Sequence, residues 1–132
     1  MSSTNSAAIV VLLTAGSQEE AARLSEMLVG AHLAACVQIL PQMESVYRWK
    51  GEVHRAPEFL LLAKTTSSCF PELEREVRAL HTYDTPEILA LPVTHVSAPY
   101  FDWLTANSFP PLVSRKAAAE KDMPSPPAPD SQ

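Results

Sequence analysis

Basic residues and glycines are scarce in this chain of 132 residues. Ten Lys and Arg are outnumbered by fifteen Asp and Glu, which leaves a net charge of -5. Such a chain has no basic field to attract nucleic acid phosphates or an anionic membrane, so we expect neither as a partner. Three glycines form no Gly-rich phosphate loop, and the nucleophile motif GxSxG is absent. Nucleotidyl transfer and hydrolysis therefore have no support in the sequence.

Cysteine is also rare, and long apolar runs are missing. Cys36 and Cys69 do not form a CxxC motif, so neither a disulfide framework nor a thiolate zinc site is expected, and a cytoplasmic location fits. The longest apolar run, residues 7–13, is far shorter than the roughly 20 residues that span a bilayer. We interpret this run as a core strand.

The length and composition fit one folded domain. Hydrophobic residues make up 46% of the chain, which is enough for one core but not for two. We predict a flexible N-terminus at 1–7, a folded domain at 8–109 and a mobile tail at 110–132. The tail is rich in proline and charge and has too little apolar surface to offset its ordering entropy.

The hydrophobic pattern predicts an alternation of strands and helices. Ser17 with Glu20 forms a capping box, and Ser67 or Ser68 can cap a second helix ahead of Pro71. Predicted strands are 7–14, 33–49 with a break at Pro41, 58–65 and 86–93, and predicted helices begin near 17, 67 and 99. This order predicts an α+β, ferredoxin-like βαββαβ fold with an antiparallel sheet and an additional C-terminal helix.

The strands are apolar on both faces, which predicts that subunits associate. Helices on one side of a sheet leave its other side uncovered, so we expect an oligomer that buries the open face. Tyr47 and Trp49 lie two residues apart on a hairpin, so both rings project from one face. They are either anchors of the subunit interface or part of a ligand cleft, and the two roles can overlap.

Five short motifs carry a resemblance to a known family. The chain resembles the CutA proteins, the divalent-cation tolerance family, over about residues 8 to 106. The motifs are Leu33-Ala-Ala-Cys-Val37, Ser45-Val-Tyr-Arg-Trp-Lys-Gly51, Lys64-Thr65, Leu80-His-Thr-Tyr-Asp-Thr-Pro-Glu87 and Tyr100-Phe-Asp-Trp-Leu104. The resemblance implies an intertwined homotrimer of ferredoxin-like subunits and a non-enzymatic, cytoplasmic role in tolerance of copper and other divalent metals. It implies no obligatory cofactor.

His81 and Glu87 are the candidate metal ligands, because an imidazole and a carboxylate across one loop suit copper or zinc. In relatives interpreted as copper binders, the proposed ligands include a Cys near the end of the first strand and a His beside the one matching His81. Here these positions are Leu13 and Leu80. The alternative is that His81 and Glu87 make hydrogen bonds at a subunit cleft.

Cys36 is a further candidate soft ligand, although a thiol in a strand is usually a packed hydrophobe. Lys64, Tyr83 and Glu87 could instead form a pocket for an anionic metabolite, with Tyr47 and Trp49 as its aromatic walls. The resemblance of the CutA fold and trimer to the PII signalling proteins implies this second function, a small-molecule sensor or scaffold. The alternative for Lys64 is an ion pair that fixes the register of the trimer.

Overall fold

The computed structural model describes residues 6–111. Residues 1–5 and 112–132 lie outside this range, and they hold most of the two terminal segments that the sequence predicts to be flexible. The prediction of a mobile tail at 110–132 therefore stays a prediction.

Four strands and three helices follow one another in the order β-α-β-β-α-β-α. They are β1 (Ala8–Ala15), α1 (Gln18–Gly30), β2 (Cys36–Trp49), β3 (Glu52–Thr66), α2 (Phe70–Leu80), β4 (Ile88–Pro92) and α3 (Ala98–Asn107). The strand order in the sheet is β2-β3-β1-β4, and all neighbouring strands are antiparallel. This topology confirms the predicted ferredoxin-like α+β fold with an additional C-terminal helix.

The helix starts agree only partly with the capping signals. Ser17 caps α1 and accepts a hydrogen bond from the Glu20 amide. The prediction that Ser67 or Ser68 caps α2 is wrong, because Ser67–Cys69 form a 3₁₀ turn and the cap residue of α2 is Cys69, without a side-chain cap. The 3₁₀ turn satisfies part of the helix start through backbone bonds, so a hydroxyl cap is not required.

The long β2–β3 hairpin takes its shape from two local signals. Lys50 and Gly51 have φ angles of 53° and 80°, as the tight two-residue turns of twisted hairpins require. The register shifts between Leu40 and Met43, around Pro41, which has no amide hydrogen for the ladder. Pro41 is expected to force an edge position, a bend or a bulge, and it lies at a β-bulge in β2, an edge strand that continues past it.

The hydrophobic core lies between one face of the sheet and helices α1 and α2. Side chains from β1 and β3 alternate into it, and each helix contributes one buried stripe, as the periodicity predicts. Its largest fully buried members are Val11, Leu13, Leu24, Leu28, Leu33, Leu61, Leu73 and Val77.

The opposite face of the sheet, which we call the open face, is also apolar. Val10 and Leu12 on β1 are half-buried, and their β4 partners Leu91 and Leu89 are 47% and 45% exposed. Helix α3 contacts β3. No helix within residues 6–111 is long and apolar enough to cross a membrane. The single chain thus leaves apolar strand surface exposed.

Candidate functional site

His81 begins the loop that joins α2 to β4 and fixes it to the end of β1. Its side chain is fully buried, its Nε2 atom donates to the Thr14 carbonyl oxygen at 2.7 Å, and its Nδ1 atom accepts from the Tyr83 amide at 3.0 Å. A carbonyl can only accept, so Nε2 carries the proton and the Nδ1 lone pair is occupied. In this structure the ring has no free lone pair for a metal.

Glu20 holds the same loop from the side of α1. Its carboxylate, 4% exposed, accepts from the Thr82 amide at 2.8 Å, from the Thr82 hydroxyl at 3.0 Å and from the Gly16 amide at 3.3 Å. It also lies 3.3 Å from Nδ1 of His81. Burial alone would raise the pKa of Glu20, but the hydrogen bonds from Thr82 and Gly16 outweigh it and lower the pKa.

Sequence reasoning missed this role of Glu20, because the capping box already accounts for a glutamate at that position. The capping box predicts a bond from Glu20 back to the amide of Ser17, whereas the carboxylate reaches the Gly16 amide and crosses to Thr82. No local pattern links positions 20 and 82, so only the fold reveals this contact.

Tyr83 connects the loop to strand β3. Its hydroxyl donates to Oε2 of Glu58 at 2.9 Å. Burial, and next the bond to the Glu58 carboxylate and its charge, raise the pKa of Tyr83 to about 12. Gly16 gives the phenol room, since a Cβ atom at that position would lie 3.1 Å from the Tyr83 hydroxyl oxygen.

A cavity of about 720 Å³, which we call the acidic cleft, lies beside Tyr83. It is lined by the end of β1, the β2–β3 hairpin and the loop before β4, through Thr14, Ser45, Val46, Tyr47, Trp49, Glu58, Tyr83, Asp84, Thr85, Pro86 and Glu87. This lining includes three carboxylates and no Lys, Arg or His. Burial, and next the charge of Glu58, raise the pKa of Glu87. The cleft therefore favours a positively charged ligand.

Four of the residues singled out from the sequence meet at the acidic cleft. Tyr47 and Trp49 form its outer wall and are about half exposed, while Tyr83 and Glu87 come from the loop before β4. Glu58 also lines the cleft, although sequence reasoning treated it only as the start of a strand. Its position opposite Met43, on the same face as the two hairpin aromatics, depends on the bulge at Pro41.

Lys64 and Cys36 do not line the acidic cleft. Lys64 lies six residues beyond Glu58 on β3, or about 20 Å along the strand, where it pairs with Cys36 in the register and donates to Oε1 of Gln38. One chain therefore does not bring Lys64 together with Tyr83 and Glu87. A pocket that combines the three at a boundary between subunits stays a prediction. Cys36 is a half-buried free thiol on the open face.

The described part of the chain brings few metal-ligating side chains close together. Within residues 6–111, no group of three or more His, Cys, Asp or Glu side chains could hold a metal ion. Of the two ligands predicted from the sequence, Glu87 lines the cleft, whereas His81 is buried and is not part of the lining. A cation in the cleft would have to complete its coordination with water or with groups from a second subunit.

Comparison with known proteins identifies close similarities over most of the chain. The family model described as CutA1 divalent ion tolerance protein matches residues 9–107. The divalent-cation tolerance protein CutA of Thermus thermophilus is 50% identical over 99 residues, which are 75% of this chain and 96% of that protein. The chloroplastic CutA of Arabidopsis thaliana is 45% identical over 73% of this chain, but this chain spans only 53% of that longer protein.

Solved structures of two CutA1 proteins are also similar to this chain in fold. The divalent cation tolerance protein from Thermus thermophilus superposes with a TM-score of 0.76 at 48% identity, covering 77% of this chain and 99% of that one. The CutA1 structure from Oryza sativa gives a TM-score of 0.75 at 40% identity, covering 77% of this chain and 94% of that one.

Proposed function

Because this chain belongs to the CutA1 family of divalent ion tolerance proteins, we propose that it contributes to metal tolerance by binding a divalent cation directly and weakly in the acidic cleft. The observation that supports this proposal is a lining with three carboxylates, Glu58, Asp84 and Glu87, and no basic side chain. Carboxylate oxygens are ligands for divalent cations, and two of these groups already repel each other.

The affinity is weak because the coordination is incomplete. The carboxylates of one chain do not form a three-ligand cluster within residues 6–111, so water supplies much of the shell. Copper(II) has the highest affinity among the divalent first-row metals for most oxygen and nitrogen sites, so copper is the expected cargo. No resident cofactor is required for this role.

The functional unit we propose is a homotrimer, with the chain itself as its main partner. The apolar open face and the half-exposed Tyr47 and Trp49 support association, because a monomer would leave them in water. The acidic cleft then lies at a boundary between subunits, where a neighbour can contribute further ligands.

We propose a binding role without catalysis, since no nucleophile with an adjacent base is evident in the cleft. A cytoplasmic location fits the two cysteines, which are free thiols in the structure. Relatives named as chloroplastic or periplasmic are also known, in Arabidopsis thaliana and Archaeoglobus fulgidus.

A PII-like sensor of an anionic metabolite is the second candidate function. The acidic lining of the cleft disfavours it, because an anion there would face Glu58 and Glu87 without a compensating cation from the same chain. It would need a basic residue such as Lys64 from a neighbouring subunit.

Calorimetric titration of the full chain with Cu²⁺, Zn²⁺ and Cd²⁺ tests the proposal. We expect binding tighter than about millimolar that weakens in the double variant Glu58→Gln/Glu87→Gln and persists in Glu74→Gln, which removes a carboxylate of α2 that does not line the cleft. Absence of binding below about millimolar, or equal binding by both variants, would contradict direct binding in the cleft.

A further inference from the structure

The acidic cleft is larger and more aromatic than an inorganic ion requires. Its volume is about 720 Å³, within the range of small-molecule pockets, and its lining includes the rings of Tyr47, Trp49 and Tyr83. A bare or hydrated metal ion makes no use of aromatic walls. The combination of carboxylates with aromatic faces is typical of sites for organic cations.

Glu58 offers this cleft a hydrogen-bond acceptor. The residue is 8% exposed, and its Oε2 atom accepts from the Tyr83 hydroxyl. No described residue donates to its Oε1 atom, and this oxygen is not a buried unsatisfied atom, so it is open to water in the cleft, which a donor from a ligand can replace. A ligand with N–H groups can supply a donor, whereas a quaternary ammonium cannot.

One of the two hairpin rings that line the cleft, that of Trp49, has a cation close to it in this structure. The Nζ atom of Lys50 lies 5.9 Å from the centroid of the Trp49 ring. Tyr47 and Trp49 share one face of β2 with Ser45, opposite the loop that carries Glu87. An apolar ligand body can therefore contact the rings while its charged end lies near the carboxylates.

We propose that the acidic cleft binds a primary ammonium ligand with an apolar body, with the ammonium donating to Glu58 and the body packed against Tyr47 and Trp49. This inference rests on the same cleft as the proposed function and assigns it an organic ligand that competes with the divalent cation. The net charge of -5 favours the approach of such a cation.

Calorimetry on the full chain with three ligands that share a phenethyl body tests the inference. The ligands are phenethylamine, its trimethylated quaternary form and phenethyl alcohol. We expect phenethylamine to bind at least about tenfold more tightly than the alcohol, and more tightly than the quaternary form, because only the primary ammonium combines charge with N–H donors. Equal affinities, a tighter quaternary ligand, or no binding at about 10 mM would overturn it.

Two variants locate the ligand, and a metal titration separates this inference from the proposed function. Glu58→Gln should weaken phenethylamine binding about tenfold, and Glu87→Gln should weaken it through lost charge, whereas Glu74→Gln should have no effect. Unchanged affinity in both cleft variants would contradict the inference. If Cu²⁺ binds but the amine does not, only the inference fails. If the amine binds but Cu²⁺ does not, only the metal proposal fails.

Discussion

At the scale of single residues, the candidate site depends on a buried carboxylate that never touches the cleft. Glu20 accepts hydrogen bonds from Thr82 and Gly16 and lies against His81, so it fixes the loop on which Tyr83 and Glu87 are carried. Removing such an acceptor leaves partly buried amide donors without their partner, which costs more than an ordinary hydrogen bond contributes.

Glu20→Gln should lower the free energy of unfolding at pH 7 by about 1–3 kcal/mol, because the NH2 group of the glutamine would face a donor where a carboxylate oxygen accepts in the wild type. Glu19→Gln, at an exposed neighbouring position of α1, should lower it by less than about 1 kcal/mol. Urea denaturation of both variants measures the difference. Equal effects would show that the Glu20 network contributes nothing specific.

The lowered pKa of Glu20 predicts that its contribution to the free energy of unfolding depends on pH. Folding lowers the pKa of Glu20 below its ordinary value of 4.5, so its stabilisation is present above that value and is lost as the pH falls through the folded-state pKa. The difference in stability between the wild type and Glu20→Gln should therefore shrink in acid. A difference that stays constant down to the lowest pH would contradict the lowered pKa.

The pair of Tyr83 and Glu58 gives a spectroscopic prediction. Glu58→Gln should lower the pKa of Tyr83 from about 12 toward its ordinary value of 10.0, because the variant removes the carboxylate charge that opposes ionisation. Titration of ¹³C-labelled tyrosine by NMR measures it, with Glu44→Gln on the exposed hairpin as the control. An unchanged pKa of Tyr83 would mean that burial alone accounts for the shift.

At the scale of elements, the sequence predicted the kind and order of every strand and helix but not the long-range contacts. Periodicity identified the buried stripes of α1 and α2, and proline located the bulge in β2, because these signals are local. The distance of Lys64 from the cleft follows from the register of β3, which depends on pairing across the sheet. For the same reason, the roles of Glu20 and Glu58 had no local signal.

Two serines, one that caps helix α1 and one inside it, should have opposite effects on stability when they are replaced. The Ser25 hydroxyl is buried without a hydrogen bond to any residue of the described chain, whereas the Ser17 hydroxyl caps the helix. Ser25→Ala should raise the free energy of unfolding by about 0.5–1 kcal/mol, and Ser17→Ala should lower it by about 1 kcal/mol. Thermal denaturation checks both, and a destabilising Ser25→Ala would reveal a partner for that hydroxyl.

At the scale of the whole molecule, the apolar open face and the acidic cleft both favour the association of subunits. We expect association to bury Val10, Leu12 and their neighbours on the sheet, and to bring a second chain toward the half-exposed hairpin aromatics. Trimerisation and ligand binding are therefore coupled in this account, because the same hairpin contributes to both.

Trp49→Ala should weaken the trimer, since a large ring in an interface pocket commonly contributes about 2 kcal/mol or more. Glu74→Ala, on the charged face of α2, should leave the trimer intact. Sedimentation and light scattering at micromolar concentration distinguish the two. A wild-type species of 14.4 kDa would refute the trimer, and an unaffected Trp49→Ala assembly would exclude Trp49 as an anchor.

Paramagnetic NMR shows by position whether a divalent cation binds in the acidic cleft. Cu²⁺, the expected cargo, is paramagnetic and broadens the signals of nearby amides, so its titration into the ¹⁵N-labelled full chain maps the ion. We expect broadening to begin at Glu58 and Asp84 to Glu87 and to be lost in Glu58→Gln/Glu87→Gln. Broadening centred elsewhere on the chain, or none at about millimolar Cu²⁺, would contradict binding in the cleft.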